Sequence, residues 1–113
     1  MKQLLPKLFA CVLFSCIINA EDPWITYPGG EGPGKGKHIV LLAGDEEYRS
    51  EEGLPMLGKI LSQHHGFKCT VSFSVNDKGE IDPNNQKSIS NPKALASADA
   101  IIMLLRFRTW SDE

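Results

Sequence analysis

The sequence predicts an α/β fold built on a parallel β-sheet. Two nearly continuous apolar runs, at 38–43 and 98–105, are typical of strands that are buried on both faces of such a sheet. Between them lie a segment with apolar residues at helical spacing, at about 52–65, and a stretch of strict alternation at 67–75. Helices that connect successive strands imply parallel pairing, so the predicted order is β-α-β-α-β.

The first 20 residues are typical of a secretory signal peptide, which is not part of the fold. Lys2 and Lys7 form a basic start, 8–18 is an uninterrupted apolar run, and Ala20 offers a small residue for cleavage. The run is shorter than the roughly 20 residues that a membrane-spanning helix needs. A retained membrane anchor, a buried helix and a lipoprotein signal at Cys16 are the alternatives.

Cleavage after Ala20 would give an exported protein, periplasmic or extracellular. The 12 basic residues would fall to 10, because Lys2 and Lys7 are removed, against 14 acidic residues. Cys69 would be the one remaining cysteine, so no intramolecular disulfide is expected. A negative net charge gives no electrostatic reason to expect nucleic acid as a partner, and no stable membrane insertion is expected after cleavage.

Residues 21–37 have the composition of a Gly/Pro-rich linker, with three prolines and five glycines in 17 residues. Three large apolar side chains in this segment can still dock onto the domain: Trp24, Ile25 and Tyr27. The sequence at 29–36 nearly matches a phosphate-binding loop. We reject that function because Gly36 stands where a hydroxyl residue is needed, and because the loop precedes its strand instead of following it.

The first predicted strand, 38–43, ends at Gly44 and is followed by the predicted helix. Pro55 fits the first turn of that helix, where a missing amide hydrogen costs least. Gly66 suits the position just after its last turn. The stripe expected to face the sheet consists of Leu54, Leu57, Ile60 and Leu61.

The alternation at 67–75 predicts a strand that is half buried and near a sheet edge. A polar loop rich in turn residues follows, and then a short helix at 92–97 with Asn91 as its N-cap. The run at 98–105 predicts another fully buried strand.

The last residues, 111–113, are typical of the start of a third helix. A helix start directly after a buried strand indicates an interrupted domain. We therefore expect 38–113 to be the N-terminal part of a larger domain.

The stretch from Gly34 to Glu113 resembles the ThuA-like family as it occurs in secreted bacterial proteins. The segments GDEEYRSEE, HHGF and LLRFR carry the resemblance. The resemblance implies the flavodoxin-like fold of class I glutamine amidotransferases and an association with carbohydrates, because the family is named for a trehalose-utilisation protein. Its reaction is poorly defined. No cofactor is expected.

Class I amidotransferases place a nucleophilic cysteine on a strained turn between a strand and a helix, with its histidine and acid later in the chain. Cys69 does not match, since it lies within a predicted strand at an inward position. We interpret it as a small buried apolar residue. No catalytic residue is assigned.

Charged residues follow the first and third predicted strands directly. Loops after parallel strands open at one edge of the sheet, where ligands bind in open α/β folds, and a flavodoxin-like order makes these two strands neighbours. We therefore expect one shared rim of candidate ligand-binding residues: Asp45, Glu46, Glu47, Tyr48, Arg49, Arg106 and Arg108.

Two interpretations of this rim stay open at this point. Its charged groups can hydrogen-bond a carbohydrate or another small polar ligand while Tyr48 stacks on a ring face, or they can form salt bridges that only stiffen the loops. A metal site is not expected, because adjacent side chains such as Asp45, Glu46 and Glu47 rarely converge on one ion. The same holds for His64 and His65, one of which we expect to pack while the other interacts with the helix C-terminus.

Two classes of function follow. The chain is either part of a carbohydrate-linked enzyme whose catalytic residues lie downstream, or a non-catalytic sugar- or protein-binding module on the same fold. The sequence leaves the oligomeric state open.

Overall fold

The computed structural model describes residues 21–111, which form a mixed α/β structure. The predicted signal peptide at 1–20 and the last two residues of the predicted third helix start lie outside the described residues. Within 21–111, no helix has the length and apolar character needed to cross a membrane. The elements in chain order are β1 (Trp24–Tyr27), β2 (His38–Gly44), α1 (Ser50–His65), β3 (Lys68–Phe73), a 3₁₀ helix (Pro92–Ser97) and β4 (Ala100–Leu105).

The four strands form one sheet in the order β1-β3-β2-β4. β2 pairs in parallel with both β3 and β4, so the predicted parallel β-α-β core is confirmed. The first and third predicted strands are neighbours, with Ile39 opposite Ala100 and Gly44 opposite Leu105. The loops that follow β2 and β4 therefore start side by side.

The predicted linker contains a strand, so its description as a linker is wrong at Trp24–Tyr27. This strand, β1, pairs antiparallel with β3, with Trp24 opposite Ser72 and Tyr27 opposite Cys69. Aromatic and β-branched residues favour strands, and Ile25 and Tyr27 pack against the core. A four-residue strand signal was hidden by the surrounding glycines and prolines.

The glycine-rich turn after β1 lies against the C-terminal end of α1. The Gly30 amide donates to the Gly66 carbonyl at 3.0 Å, and the Gly34 amide donates to the His65 carbonyl at 2.8 Å. A helix C-terminus carries partial negative charge, which repels phosphate. This position supports the sequence argument against a phosphate-binding loop.

Two predictions about strand burial are wrong. β3 was expected to be half buried near an edge, yet it lies between β1 and β2 and is buried from Cys69 to Phe73. β4 was expected to be fully buried, yet it is an edge strand, and Met103 is 62% exposed. The side chains of a strand do not show which other strands pair with it on its two sides. Here β1, which was not predicted, pairs with β3.

Helix α1 begins at Ser50, two residues before the predicted start, so Pro55 lies in its second turn and not in its first. Its buried positions are Ser50, Leu54, Gly58 and Ser62, while the predicted contact residue Ile60 is exposed. Gly58 allows close approach, because a Cβ there would lie 3.2 Å from a methyl carbon of Val71.

The helix ends as predicted. Gly66 adopts a left-handed conformation with φ of 80°, and its amide donates to the Ser62 carbonyl at 3.1 Å. The short helix after the polar loop lies at the predicted 92–97 but is 3₁₀. Asn91 precedes it in a left-handed conformation without a side-chain capping bond, so the predicted N-cap interaction is wrong.

The core lies between α1 and one face of the sheet. Partly buried residues from β1, α1 and β4 pack against it, including Ile25, Leu57 and Ile102. The buried cluster consists of Ile39, Leu41, Ala43, Leu54, Cys69, Val71 and Phe73.

Candidate functional site

The loops after β2 and β4 meet at the carboxyl edge of the sheet. Arg106 forms an ion pair with Glu47, and its Nη1 lies 4.0 Å from Oε1 of Glu46. Nη2 of Arg108 lies 3.4 Å from Oε2 of the same Glu46. The predicted juxtaposition of these two loops is therefore present. We use the name rim for Glu46, Glu47, Tyr48, Arg106, Phe107 and Arg108.

Asp45 is a buried residue that fixes the conformation of the loop after β2. Its side chain is buried, and its Oδ1 accepts hydrogen bonds from the backbone amides of Glu47 at 2.7 Å and Tyr48 at 2.8 Å. The hydroxyl of Ser50 accepts from the Asp45 amide at 2.9 Å. Such local bonds fold a short polar loop into a turn. The structure thus places Asp45 under the rim as a support and not on its surface.

Arg49 lies outside the ion pairs of the rim. Its backbone is left-handed with φ of 56°, and its Nη2 is 2.8 Å from Oε1 of Glu52 in the first turn of α1. Both side chains are exposed, and such surface pairs contribute about 0–1 kcal/mol. Arg49 is therefore a sequence-predicted candidate that the structure does not bring together with Arg106 and Arg108.

Two exposed aromatic rings flank the guanidinium of Arg106. Its Cζ lies 5.8 Å from the ring centre of Tyr48 and 4.7 Å from that of Phe107, distances typical of cation–π contacts. Tyr48 is 69% and Phe107 65% exposed, although large aromatic side chains are usually covered. The rim therefore presents two exposed aromatic rings beside a charged group.

Phe107 was not singled out from the sequence. Its backbone is left-handed with φ of 53°, a conformation that is uncommon for a bulky residue and costs about 1–3 kcal/mol. The two arginines on either side of Phe107 reach Glu46 while its own ring stays exposed. The alternation of arginine and phenylalanine in RFR was the available sequence signal. It indicates an exposed ring only once the backbone conformation of this turn is known.

Arg108 is the buried member of the rim, with only 4% of its side chain exposed. Its Nη2 also donates to the Pro83 carbonyl at 2.7 Å, and among residues 21–111 its Nε and Nη1 have no hydrogen-bond partner. A Cβ on Gly44 would lie 2.8 Å from Nε, so glycine at the end of β2 makes room for this side chain. Arg108 holds Glu46 and the loop at Pro83 in place.

Cys69 is a poor candidate for a nucleophile. It lies on β3 within the core, and burial raises the pKa of its thiol. A raised pKa leaves less of the reactive thiolate at neutral pH. The interpretation of Cys69 as a buried apolar residue agrees with this position.

Within residues 21–111, the two histidines at the end of α1 do not belong to a group of side chains that could hold a metal ion. His64 and His65 are both exposed in the last turn of α1, so the expectation that one of them packs is wrong. In the part of the chain that the structure describes, no group of three or more His, Cys, Asp or Glu side chains is arranged to hold a metal ion.

His38 is a buried histidine that sequence reasoning missed. Its Nε2 lies 2.8 Å from Oγ1 of Thr70, and its Nδ1 lies 3.0 Å from Oγ of Ser97. Its backbone amide donates to Oδ2 of Asp99 at 2.8 Å. Both ring nitrogens are engaged, and the residue lies at the opposite end of β2 from the rim. His38 therefore connects β2, β3 and the 3₁₀ helix as a structural residue.

Comparison of the chain with protein-family models, with curated proteins and with solved structures gives no significant match in any of the three. The geometry of the rim and the residues that carry the resemblance are the features that point to a function.

Proposed function

We propose that the chain is the N-terminal part of an exported ThuA-like domain with a class I glutamine amidotransferase-like fold, and that its rim binds a carbohydrate or another small polar ligand. The observation that carries the proposal is the contact between the loops after β2 and β4, which brings Glu46, Glu47 and Arg106 together beside two exposed rings.

The sheet order supports the flavodoxin-like part of the proposal. The parallel strands run β3-β2-β4, which is the order in which a flavodoxin-like sheet begins. Ligands of open α/β sheets bind beyond the carboxyl ends of the strands, where the strand order reverses. In this chain that position lies between β2 and β4, at the rim. The open apolar edge of β4 fits a sheet that continues in a complete domain.

The exposed rim residues have the chemistry that a polyol needs. Glu47 and Arg106 are accessible and paired with each other, so they can exchange that pair for hydrogen bonds to neighbouring hydroxyls. Tyr48 and Phe107 can pack on the apolar face of a sugar ring. Buried Asp45 and Arg108 would then act as positioning residues, since neither is accessible to a ligand.

A non-catalytic sugar- or protein-binding module is the second candidate. It is favoured by the burial of Cys69, whose thiol has a raised pKa and does not suit nucleophilic chemistry. Exposed Tyr, Phe and Arg side chains are also enriched at protein interfaces. A sugar-binding module would bind its sugar as the isolated protein, whereas a protein-binding module would need its partner.

The test compares Arg106→Ala with Arg49→Ala. Both variants remove an arginine that is paired with a glutamate, but only Arg106 belongs to the rim. Titration calorimetry with trehalose and with glucose is expected to show binding that Arg106→Ala weakens by roughly tenfold or more and Arg49→Ala leaves unchanged. Circular dichroism checks that both variants are folded.

Equal weakening by the two substitutions, with folding retained, would show that binding does not involve the rim. Absence of sugar binding by a folded wild-type protein would remove the carbohydrate part of the proposal.

A further inference from the structure

A cavity of about 280 Å³ lies beside the segment that follows β4. Three parts of the chain form its walls: the loop at 87–89, the 3₁₀ helix at Pro92 and Leu95, and the segment at 110–111. None of the rim residues lines it. The cavity is therefore a separate site that the proposed function does not use.

Backbone hydrogen bonds hold these walls together. The Thr109 amide donates to the Gln86 carbonyl at 2.8 Å, which fastens the segment after β4 to the loop. The Ser90 amide donates to the Phe73 carbonyl at 2.8 Å, and the Phe73 amide donates to the Ser90 hydroxyl at 3.0 Å. These bonds fasten the same loop to the end of β3, so the cavity is preformed, as ligand sites usually are.

The walls combine an apolar surface with a single charge. Ile89, Leu95 and Trp110 supply the apolar area, and among residues 21–111 Lys87 is the one charged residue that lines the cavity. Within the described range, Lys87 takes part in no salt bridge. A lysine beside an apolar wall favours an anion that carries an apolar body.

Trp110 adds a flat aromatic wall. Its indole Nε1 is buried, and no acceptor for it is found among residues 21–111. Buried polar groups without a partner are rare, and a buried indole N–H usually finds an acceptor. Ser88 and Ser111 also line the cavity, and their hydroxyls can hydrogen-bond a ligand there.

We infer that this cavity binds a small aromatic carboxylate. The ring packs against Trp110 and Leu95, and the carboxylate pairs with the ammonium group of Lys87. The volume of about 280 Å³ lies just below the range of small-molecule sites, about 300–1,000 Å³, and suits a small ligand with a single ring.

Benzoate is the probe, and benzamide, which has the same ring without the charge, is its neutral analogue. In a Trp24→Phe background, Trp110 is the one tryptophan left, so its fluorescence reports on the cavity. Benzoate is expected to change this emission in a saturable way and to bind about tenfold or more tightly than benzamide. The indole N–H resonance of Trp110 in the unsubstituted protein gives a second measurement.

Lys87→Met keeps most of the apolar stem and removes the charge, so it is expected to abolish the preference for benzoate. Lys78→Met, in the exposed turn after β3, is the matched control and should leave binding unchanged. Arg106→Ala in the rim should also leave it unchanged, which separates this site from the proposed function.

Three results would overturn the inference. One is equal affinity for benzoate and benzamide, and another is equal weakening by Lys87→Met and Lys78→Met. The third is the absence of a saturable signal by both measurements at up to about 10 mM benzoate.

Discussion

Single residues at the carboxyl end of β2 control how the rim is built. Gly44 has no side chain, and the space is filled by the buried guanidinium of Arg108 and by a methyl carbon of Leu105, each 2.8 Å from where a Cβ would lie. Asp45 then turns the chain through its bonds to two amides. The exposed pair of Glu47 and Arg106 thus depends on neighbours that themselves are hidden from solvent.

Gly44→Ala is expected to destabilise the fold by about 1–3 kcal/mol, because Arg108 is too buried to move aside freely. Gly53→Ala in α1 is the control, since a Cβ there meets nothing within 4 Å. It should stabilise the helix by up to about 1 kcal/mol. Urea unfolding of both variants gives the two free energies of unfolding. A neutral Gly44→Ala would show that Arg108 is not fixed in place.

Among the elements, β4 differs most from expectation. Its six residues are all apolar, and within residues 21–111 β2 is its one partner in the sheet. Charged residues protect many edge strands against pairing with other chains. Around β4 they occur only beyond its ends, at Asp99 and Arg106. Such an edge can pair with other chains, so we predict that this strand drives aggregation of the protein.

Met103→Lys is expected to reduce aggregation several-fold, because a charge on an edge strand opposes pairing. Met56→Lys on α1 is the matched control, since Met56 is 66% exposed and Met103 62%. Light scattering at equal protein concentration measures both. Equal protection by the two lysines would assign the effect to net charge and contradict a specific role of β4.

At the scale of the whole molecule, the proposed export depends on the first 20 residues. Leu13→Arg places a charge in their apolar run and is expected to prevent translocation, whereas Glu31→Arg adds an arginine beyond the cleavage site and should not. Mass spectrometry of the exported protein should find Glu21 as the N-terminus. A soluble cytoplasmic product that retains Met1 would contradict the prediction.

Local patterns predicted much of the fold. The apolar run at 38–43 gave β2, helical spacing and Gly66 gave most of α1 and its end, and the run before Arg106 gave β4. The predictions that depend on neighbouring strands were wrong. The strand β1 at Trp24–Tyr27 was not predicted, β3 was expected to be half buried, and β4 was expected to be fully buried. Periodicity indicates which face of one segment is apolar. Whether a strand is buried also depends on the strands beside it, which are distant in the chain.

The same division holds for the rim. The sequence by itself determined that charged residues follow β2 and β4, and parallel pairing then required them to share an edge. Only the tertiary structure decided their roles, because each role depends on burial and on a specific partner. Asp45 lies beneath the loop, Arg49 pairs with Glu52, and Phe107 adds an exposed ring that no pattern identified.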